Sequence, residues 1–152
     1  SPFNAYLSLV GLETLSQRVS QQVVSAQRIA EHLTSAPHVT KVNYSGLGYT
    51  PQYELVGKYF PRGVGQILSF QVDGGADSVR RIIDGTRLFS YVPNIGDARS
   101  LIVDPAHITH REVPAEARIA AGVSDNLIRL SIGLEDVNDL IADLDQAIAA
   151  AY

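Results

Sequence analysis

The amino-acid sequence predicts an α+β domain of two layers, and three observations carry that reading. Apolar residues recur at helical spacing from Pro2 to Ala36 and again from Asp136 to Ala150. Between these stretches, short segments of strand character alternate with shorter amphipathic ones. Glycine and proline punctuate nearly every junction. Helices that must bury one stripe and strands that must bury one face find a joint solution when the helices pack on the sheet. At 152 residues and 45% apolar composition, the chain is long enough for one compact domain with a substantial core.

The first element is predicted as one long helix. Phe3, Leu7, Val10, Leu12, Leu15, Val19, Val23, Ala26, Ile29, Ala30 and Leu33 share its apolar stripe. Ser1 is placed to cap it, Pro2 fits its first turn, and Pro37 ends it. At about 1.5 Å per residue it would run on the order of 50 Å, well beyond the diameter of a small domain. Its first half is therefore expected to meet another structure through Phe3, Tyr6, Leu7 and Val10.

"VTKVNY" (39–44) alternates as a strand, and "SGLGYTPQYELVGKYFP" reads as a glycine loop with a short helix opening at Pro51. "GVGQILSFQVDGG" is a strongly apolar strand ended by Gly74 and Gly75, and "ADSVRRIIDGT" an amphipathic helix. "RLFSYV" and "LIVDP" are short extended pieces on either side of the irregular polar loop "PNIGDARS". "AHITHREV" is read as a loop, followed by a short helix from Pro114 to about Ala121. "LIRLSIG" is the last strand. The final helix starts near Asp136 with acidic residues in its early turns, and its Ala-rich end is expected to fray.

Charge and composition exclude several functions. Twelve Lys and Arg against 16 Asp and Glu give a net charge of -4, and the basic residues lie singly rather than in the stripe that a phosphate backbone requires. Nucleic acid is not the expected partner. No apolar run reaches membrane-spanning length, so no membrane partner is expected and the chain reads as soluble and cytoplasmic. Without Cys there are no disulfides, thiolate nucleophiles or Cys-ligated metals. Without Met, a chain opening at Ser1 reads as either processed or cut from something longer, and the long helix with an unsupported first half favours the second.

Arg129 is the leading site candidate. In "LIRLSIG" the residues Ile128, Leu130 and Ile132 share one strand face, the core face, while Leu127, Arg129 and Ser131 share the other. An arginine there is either an exposed or salt-bridged strand residue or a rigidly held clamp whose parallel N–H donors match a carboxylate. "PNIGDARSL" is the second candidate. It is an ordinary surface turn or a shaped loop whose Asn94 amide could donate to an anion.

His107 and His110 are spaced for a metal only on a helix, which Pro105 disfavours, so they are read as structural and no metal is expected. Glu135, Asp136, Asp139, Asp143 and Asp145 have helical period without the glycine turn of a calcium loop and are read as a solvated helix face. "SGLGYT" and "RGVGQ" lack the context of a phosphate loop and are read as turns.

Several of these segments, in order, carry a resemblance over essentially the full length. They are "SPFNAYLSLVGLETLSQRV", "VNYSGL", "GVGQILSFQVDGG", "LFSYVPNIGDARSLIVDPAHITH" and "LIRLSIGLEDVNDLIADLDQAI". Together they resemble the C-terminal domain of the Cys/Met-metabolism family of pyridoxal-phosphate (PLP) enzymes. "NIGDARSL", "SYVPN" and "GVGQILSF" look most like its O-acetylhomoserine sulfhydrylase branch, although Asp104 stands where that branch often carries a His.

The resemblance implies the small C-terminal domain of a fold-type I enzyme, a mainly antiparallel sheet covered by helices. It implies Arg129 as the binder of the substrate α-carboxylate, with Asn94 adding a neighbouring hydrogen bond. Arg99, in the same loop, is hypothesised to tune substrate choice. The implied reaction replaces acetate by sulfide at Cγ of O-acetylhomoserine, with PLP as cofactor, in a homotetramer. Lys41 and Lys58 are the only lysines and neither has the Ser-x-Thr-Lys context of the family's Schiff-base lysine. That lysine and the phosphate-binding residues are therefore expected in an absent large domain, with no PLP bound to this chain and no turnover by it alone. The rival readings are another enzyme of the same family, namely a methionine gamma-lyase, a cystathionine gamma-synthase or an O-succinylhomoserine sulfhydrylase, and a free-standing α+β module that binds amino acids without a cofactor.

Overall fold

The structure, a computed structural model, describes residues 1–51 and 53–152. Five strands, β1 (Val39–Asn43), β2 (Ile67–Val72), β3 (Ser90–Tyr91), β4 (Leu101–Val103) and β5 (Leu127–Ser131), form one sheet in the order β1-β2-β5-β4-β3. Every adjacent pair is antiparallel except β3 and β4, which are parallel. The mainly antiparallel α+β expectation thus meets a mixed sheet, and the strand bearing Arg129 is its centre.

One face of the sheet carries the core. Val42, Leu68, Phe70, Ile102, Ile128 and Leu130 are buried against three helices, α2 (Leu15–Leu33), α4 (Ala76–Gly85) and α6 (Val137–Ala151). Each helix has the apolar period that this packing requires. α2 contributes Ala26, Ile29, Ala30 and Leu33; α4 contributes Val79, Ile82 and Ile83; α6 contributes Leu140, Leu144, Ala147 and Ile148. Two short helices, α3 (Tyr53–Tyr59) and α5 (Ala115–Ala120), lie in the connections. Residue 52, inside the stretch expected to open a helix at Pro51, is outside the described residues.

The single long N-terminal helix is corrected to two segments. α1 (Pro2–Glu13) ends at Thr14, whose φ of -109° and ψ of 7° leave the helical region, and α2 begins at Leu15. A β-branched Thr pays in rotamer freedom inside a helix, and here its hydroxyl takes a bond from the Arg18 guanidinium, which also donates to Gly11 O at 3.0 Å. Arg18 so satisfies a carbonyl and the hydroxyl at the break. α1 buries no residue: Phe3, Tyr6, Leu7, Leu9, Val10 and Leu12 are all exposed.

Two further expectations are corrected. The Ala-rich end of α6 is packed rather than frayed, because Ala147, Ile148 and Ala151 are buried and Arg81 Nε donates to Ala151 O at 3.0 Å. The acidic residues after Leu134 do not all form a solvated face. Asp143 is buried and accepts from Arg87 N and Leu88 N at 2.9 Å each, and Glu135 folds back onto Ser100. No helix among the described residues is long and apolar enough to cross a membrane.

Candidate functional site

The alternation predicted for the last strand places Ile128, Leu130 and Ile132 in the core. The face opposite is less open than the sequence suggests. Leu127 and Ser131 are also buried, and Arg129 is half-buried between them. The covering comes from the 105–123 segment, whose Pro105, Thr109, His110 and Val123 line a cavity of about 230 Å³ with Leu127 and Arg129. Arg118 pins this roof: its guanidinium is buried, donates to Val123 O at 2.9 Å and pairs with Asp125 at 2.7 Å.

Strand register supplies the rest of the site. Arg129 pairs with Ser69 on β2 and with Val103 on β4. Ser69 pairs in turn with Asn43 on β1, whose Nδ2 donates to Ser69 Oγ at 3.3 Å. Asn43, Ser69 and Arg129 therefore form a polar row across three strands, all lining the same cavity. Among the described residues Arg129 has no hydrogen bond or ion pair, and its Nε is buried without a partner. Arg129 is thus neither fully exposed nor salt-bridged among the described residues. A buried donor left unsatisfied is costly, and a planar anion entering the cavity would satisfy it.

The loop 93–100 between β3 and β4 carries Asn94 and Arg99. Asn94 is exposed and its Oδ1 accepts from Ile95 N at 2.8 Å, which leaves the amide nitrogen free to donate. Arg99 is 72% exposed and pairs with Asp97 at 3.4 Å. The Arg99 backbone N–H, first, and its guanidinium, second, hold the Asp97 carboxyl below its ordinary value. Gly96 takes a φ of 81°, a left-handed turn at little cost only for glycine, and buried Gln22 of α2 donates to Asp97 O at 2.8 Å. Arg99 is thus placed in the loop but turned to Asp97, and nothing else in its surroundings assigns it a task.

Reasoning from the sequence missed the polar row and the fixings of the loop. Asn43 and Ser69 carry no motif; only strand pairing brings them beside Arg129. Asp104 caps its own turn, accepting from Ala106 N at 3.0 Å and pairing with His107 Nδ1 at 2.6 Å. His110 Nδ1 lies 3.3 Å from Pro105 O and 2.8 Å from Thr109 Oγ1, so it steadies the roof. No cluster of three His, Cys, Asp or Glu that could hold a metal occurs among the described residues.

Lys41 lies exposed on edge strand β1 and Lys58 exposed on α3, and neither lines the Arg129 cavity. The polar side chains that line the cavity include Asn43, Ser69 and the Arg129 guanidinium.

The Cys/Met metabolism PLP-dependent enzyme family matches residues 1–149. An O-acetyl-L-homoserine sulfhydrylase from Leptospira meyeri is 42% identical over 97% of this chain and 34% of its own length. An O-succinylhomoserine sulfhydrylase from Pseudomonas aeruginosa is 44% identical over 99% of this chain and 37% of its own. The crystal structure of a Campylobacter jejuni protein assigned as an O-acetylhomoserine (thiol)-lyase, described with N'-pyridoxyl-lysine-5'-monophosphate, superposes with a TM-score of 0.92 at 42% identity, over 98% of this chain and 35% of that one. Yeast cystathionine gamma-lyase superposes with a TM-score of 0.94 at 42% identity, over 99% of this chain and 39% of that one. The chain spans about a third of the length of these relatives. By sequence and by fold, the chain belongs to the Cys/Met-metabolism family of PLP-dependent enzymes.

Proposed function

We propose that this chain is the small C-terminal domain of a PLP-dependent O-acetylhomoserine sulfhydrylase, in which Arg129 binds the α-carboxylate of the amino-acid substrate. The observation that carries this reading is the half-buried Arg129 guanidinium, with its orphaned Nε, beside the Asn43–Ser69 row. Asn94 would supply a second donor to the same carboxylate and Arg99 would act on substrate choice at the mouth of the loop. Two donors on different elements fix the orientation of an amino acid as well as its affinity.

PLP, when bound, supplies the electron withdrawal that lets the substrate exchange its Cγ acetate for sulfide. The large domain, with the Schiff-base lysine and the phosphate site, would make up the remaining two thirds of the enzyme, and its surface would cover α1. The cytoplasmic homotetramer is the assembly proposed for that whole protein, and the present chain is proposed to have no turnover alone. The name of the Leptospira relative and the "NIGDARSL" loop support the sulfhydrylase choice within the family.

The test is an assay of the full-length enzyme with sulfide and either O-acetyl- or O-succinyl-homoserine, wild type against Arg129→Ala. A preference for the acetyl ester, lost together with amino-acid binding in the variant, is expected. Preference for the succinyl ester, or elimination without sulfide incorporation, would move the protein to another branch. Turnover by the 152-residue chain alone would overturn the division of labour.

A further inference from the structure

Ser100 is completely buried at the end of the loop that carries Asn94 and Arg99. Its N–H donates to Glu135 Oε1 at 2.8 Å and its hydroxyl donates to Glu135 Oε2, also at 2.8 Å. The same hydroxyl accepts from Gly133 N at 2.9 Å, so its donor and acceptor functions are both used. Glu135 follows Arg129's strand by only a few residues, and Leu134 N donates to Ala98 O at 2.8 Å beside it. At Gly133 a Cβ would come within 2.4 Å of the Arg99 carbonyl carbon and 2.5 Å of Ala98 O. Loop and strand end are therefore pressed together backbone to backbone, with one carboxylate closing the junction.

The junction is close to the site. In the β4/β5 ladder Leu101 pairs with Ser131 and Val103 with Arg129, so Ser100 stands one residue beyond the Ser131 pair. Two strand residues, about 6–7 Å, separate that pair from Arg129. The loop's other fixing, Gln22 on Asp97 O, ties it to α2 and not to β5.

We infer that Glu135 is a positioning residue: by holding Ser100 with both carboxylate oxygens, it sets the seating of the Asn94 loop against the Arg129 strand and hence the fit of both to one amino-acid carboxylate. The inference rests on the reading of Arg129 as the carboxylate clamp. An alanine at 135 leaves the buried Ser100 N–H and O–H to find other acceptors, and the loop moves to supply them. A glutamine keeps one acceptor oxygen for the Ser100 N–H, so the seating is largely retained although the charge is gone.

The experiment compares the full-length enzyme with its Glu135→Ala, Glu135→Gln, Arg129→Ala and Asp143→Ala variants. Binding of L-norvaline, which has no leaving group at Cγ, is followed by the absorbance change of the cofactor, beside KM, kcat and the melting temperature. Loss of geometry felt equally in ground and transition states raises KM and leaves kcat, so Glu135→Ala is expected to weaken norvaline binding and raise KM about tenfold, with kcat nearly unchanged. Glu135→Gln should stay within about threefold of wild type, because a neutral acceptor suffices for the Ser100 N–H. Asp143→Ala removes an equally buried carboxylate elsewhere, and should lower the melting temperature without changing norvaline binding.

Wild-type binding by Glu135→Ala, alongside lost binding by Arg129→Ala, would overturn the inference and leave the clamp standing. Equal effects of Glu135→Gln and Glu135→Ala would overturn it in favour of charge. Normal binding by Arg129→Ala would remove the clamp, and the inference with it. Should Glu135→Ala not fold, Ser100→Ala replaces it: weaker norvaline binding supports the inference, and unchanged binding overturns it.

Discussion

Arg129 and Ser69 stand opposite each other in the antiparallel β2/β5 ladder, and neither Arg129 nor its cavity offers the guanidinium an acidic partner among the described residues. A protein selected only for stability would gain by changing this arrangement. Arg129→Met keeps the length and apolar stem of the side chain and removes the orphaned donor. Denaturant unfolding of the chain should show a stability gain of about 1 kcal/mol, while the full-length variant loses amino-acid binding. A loss of stability would mean that the donor is satisfied in the free protein.

The roof over Arg129 depends on Arg118, whose buried guanidinium joins Val123 O and Asp125. Arg118→Ala should cost about 1–3 kcal/mol, because it leaves a carbonyl and a carboxylate without their donor. It should also admit protease to the 105–123 segment, which urea titration and limited proteolysis would measure together. An unchanged urea midpoint would mean that the roof is held by other contacts.

Tyr44 is buried and its hydroxyl donates to Gly65 O at 2.9 Å. Burial, first, and the Glu31 carboxylate, second, push its pKa from 10.0 up to about 12. The unfolded chain releases this proton near the ordinary value and the folded chain holds it, so the stabilisation is complete below pH 10 and is lost as pH rises to about 12. Stability measured across that window should fall less steeply in Tyr44→Phe than in the wild type. Equal slopes would show that the phenol titrates alike in both states.

The apolar face of α1 contributes nothing to the core of this chain, since Phe3 is 67% exposed and Leu7 52%. Replacing Leu7 and Val10 together by Glu should therefore change the unfolding free energy of the 152-residue chain by less than about 0.5 kcal/mol. In the full-length enzyme the same pair should weaken the proposed contact with the large domain, seen as a lower melting temperature or faster cleavage near α1. A large destabilisation of the short chain would place the packing of α1 within it.

Much of the domain was legible along the chain, because strand and helix periods are local properties of side-chain order. "LIRLSIG" put Arg129 on the face opposite Ile128 and Leu130 by alternation alone, and the amphipathic stripes of α2, α4 and α6 were readable in the same way. The break at Thr14 was not readable, since an uninterrupted apolar stripe passes through it and only the local backbone and Arg18 mark it. Asn43 and Ser69 reached Arg129 through strand pairing, and Glu135 reached Ser100 across 35 residues through a turn that Gly133 makes possible. Such contacts depend on register and close approach between distant segments, and periodicity contains no term for either. Whether Arg129 was a salt-bridged strand residue or a donor awaiting an anion was equally a question of neighbours. Its residue type supplied the charge, and the folded sheet supplied a half-buried place without a partner among the described residues.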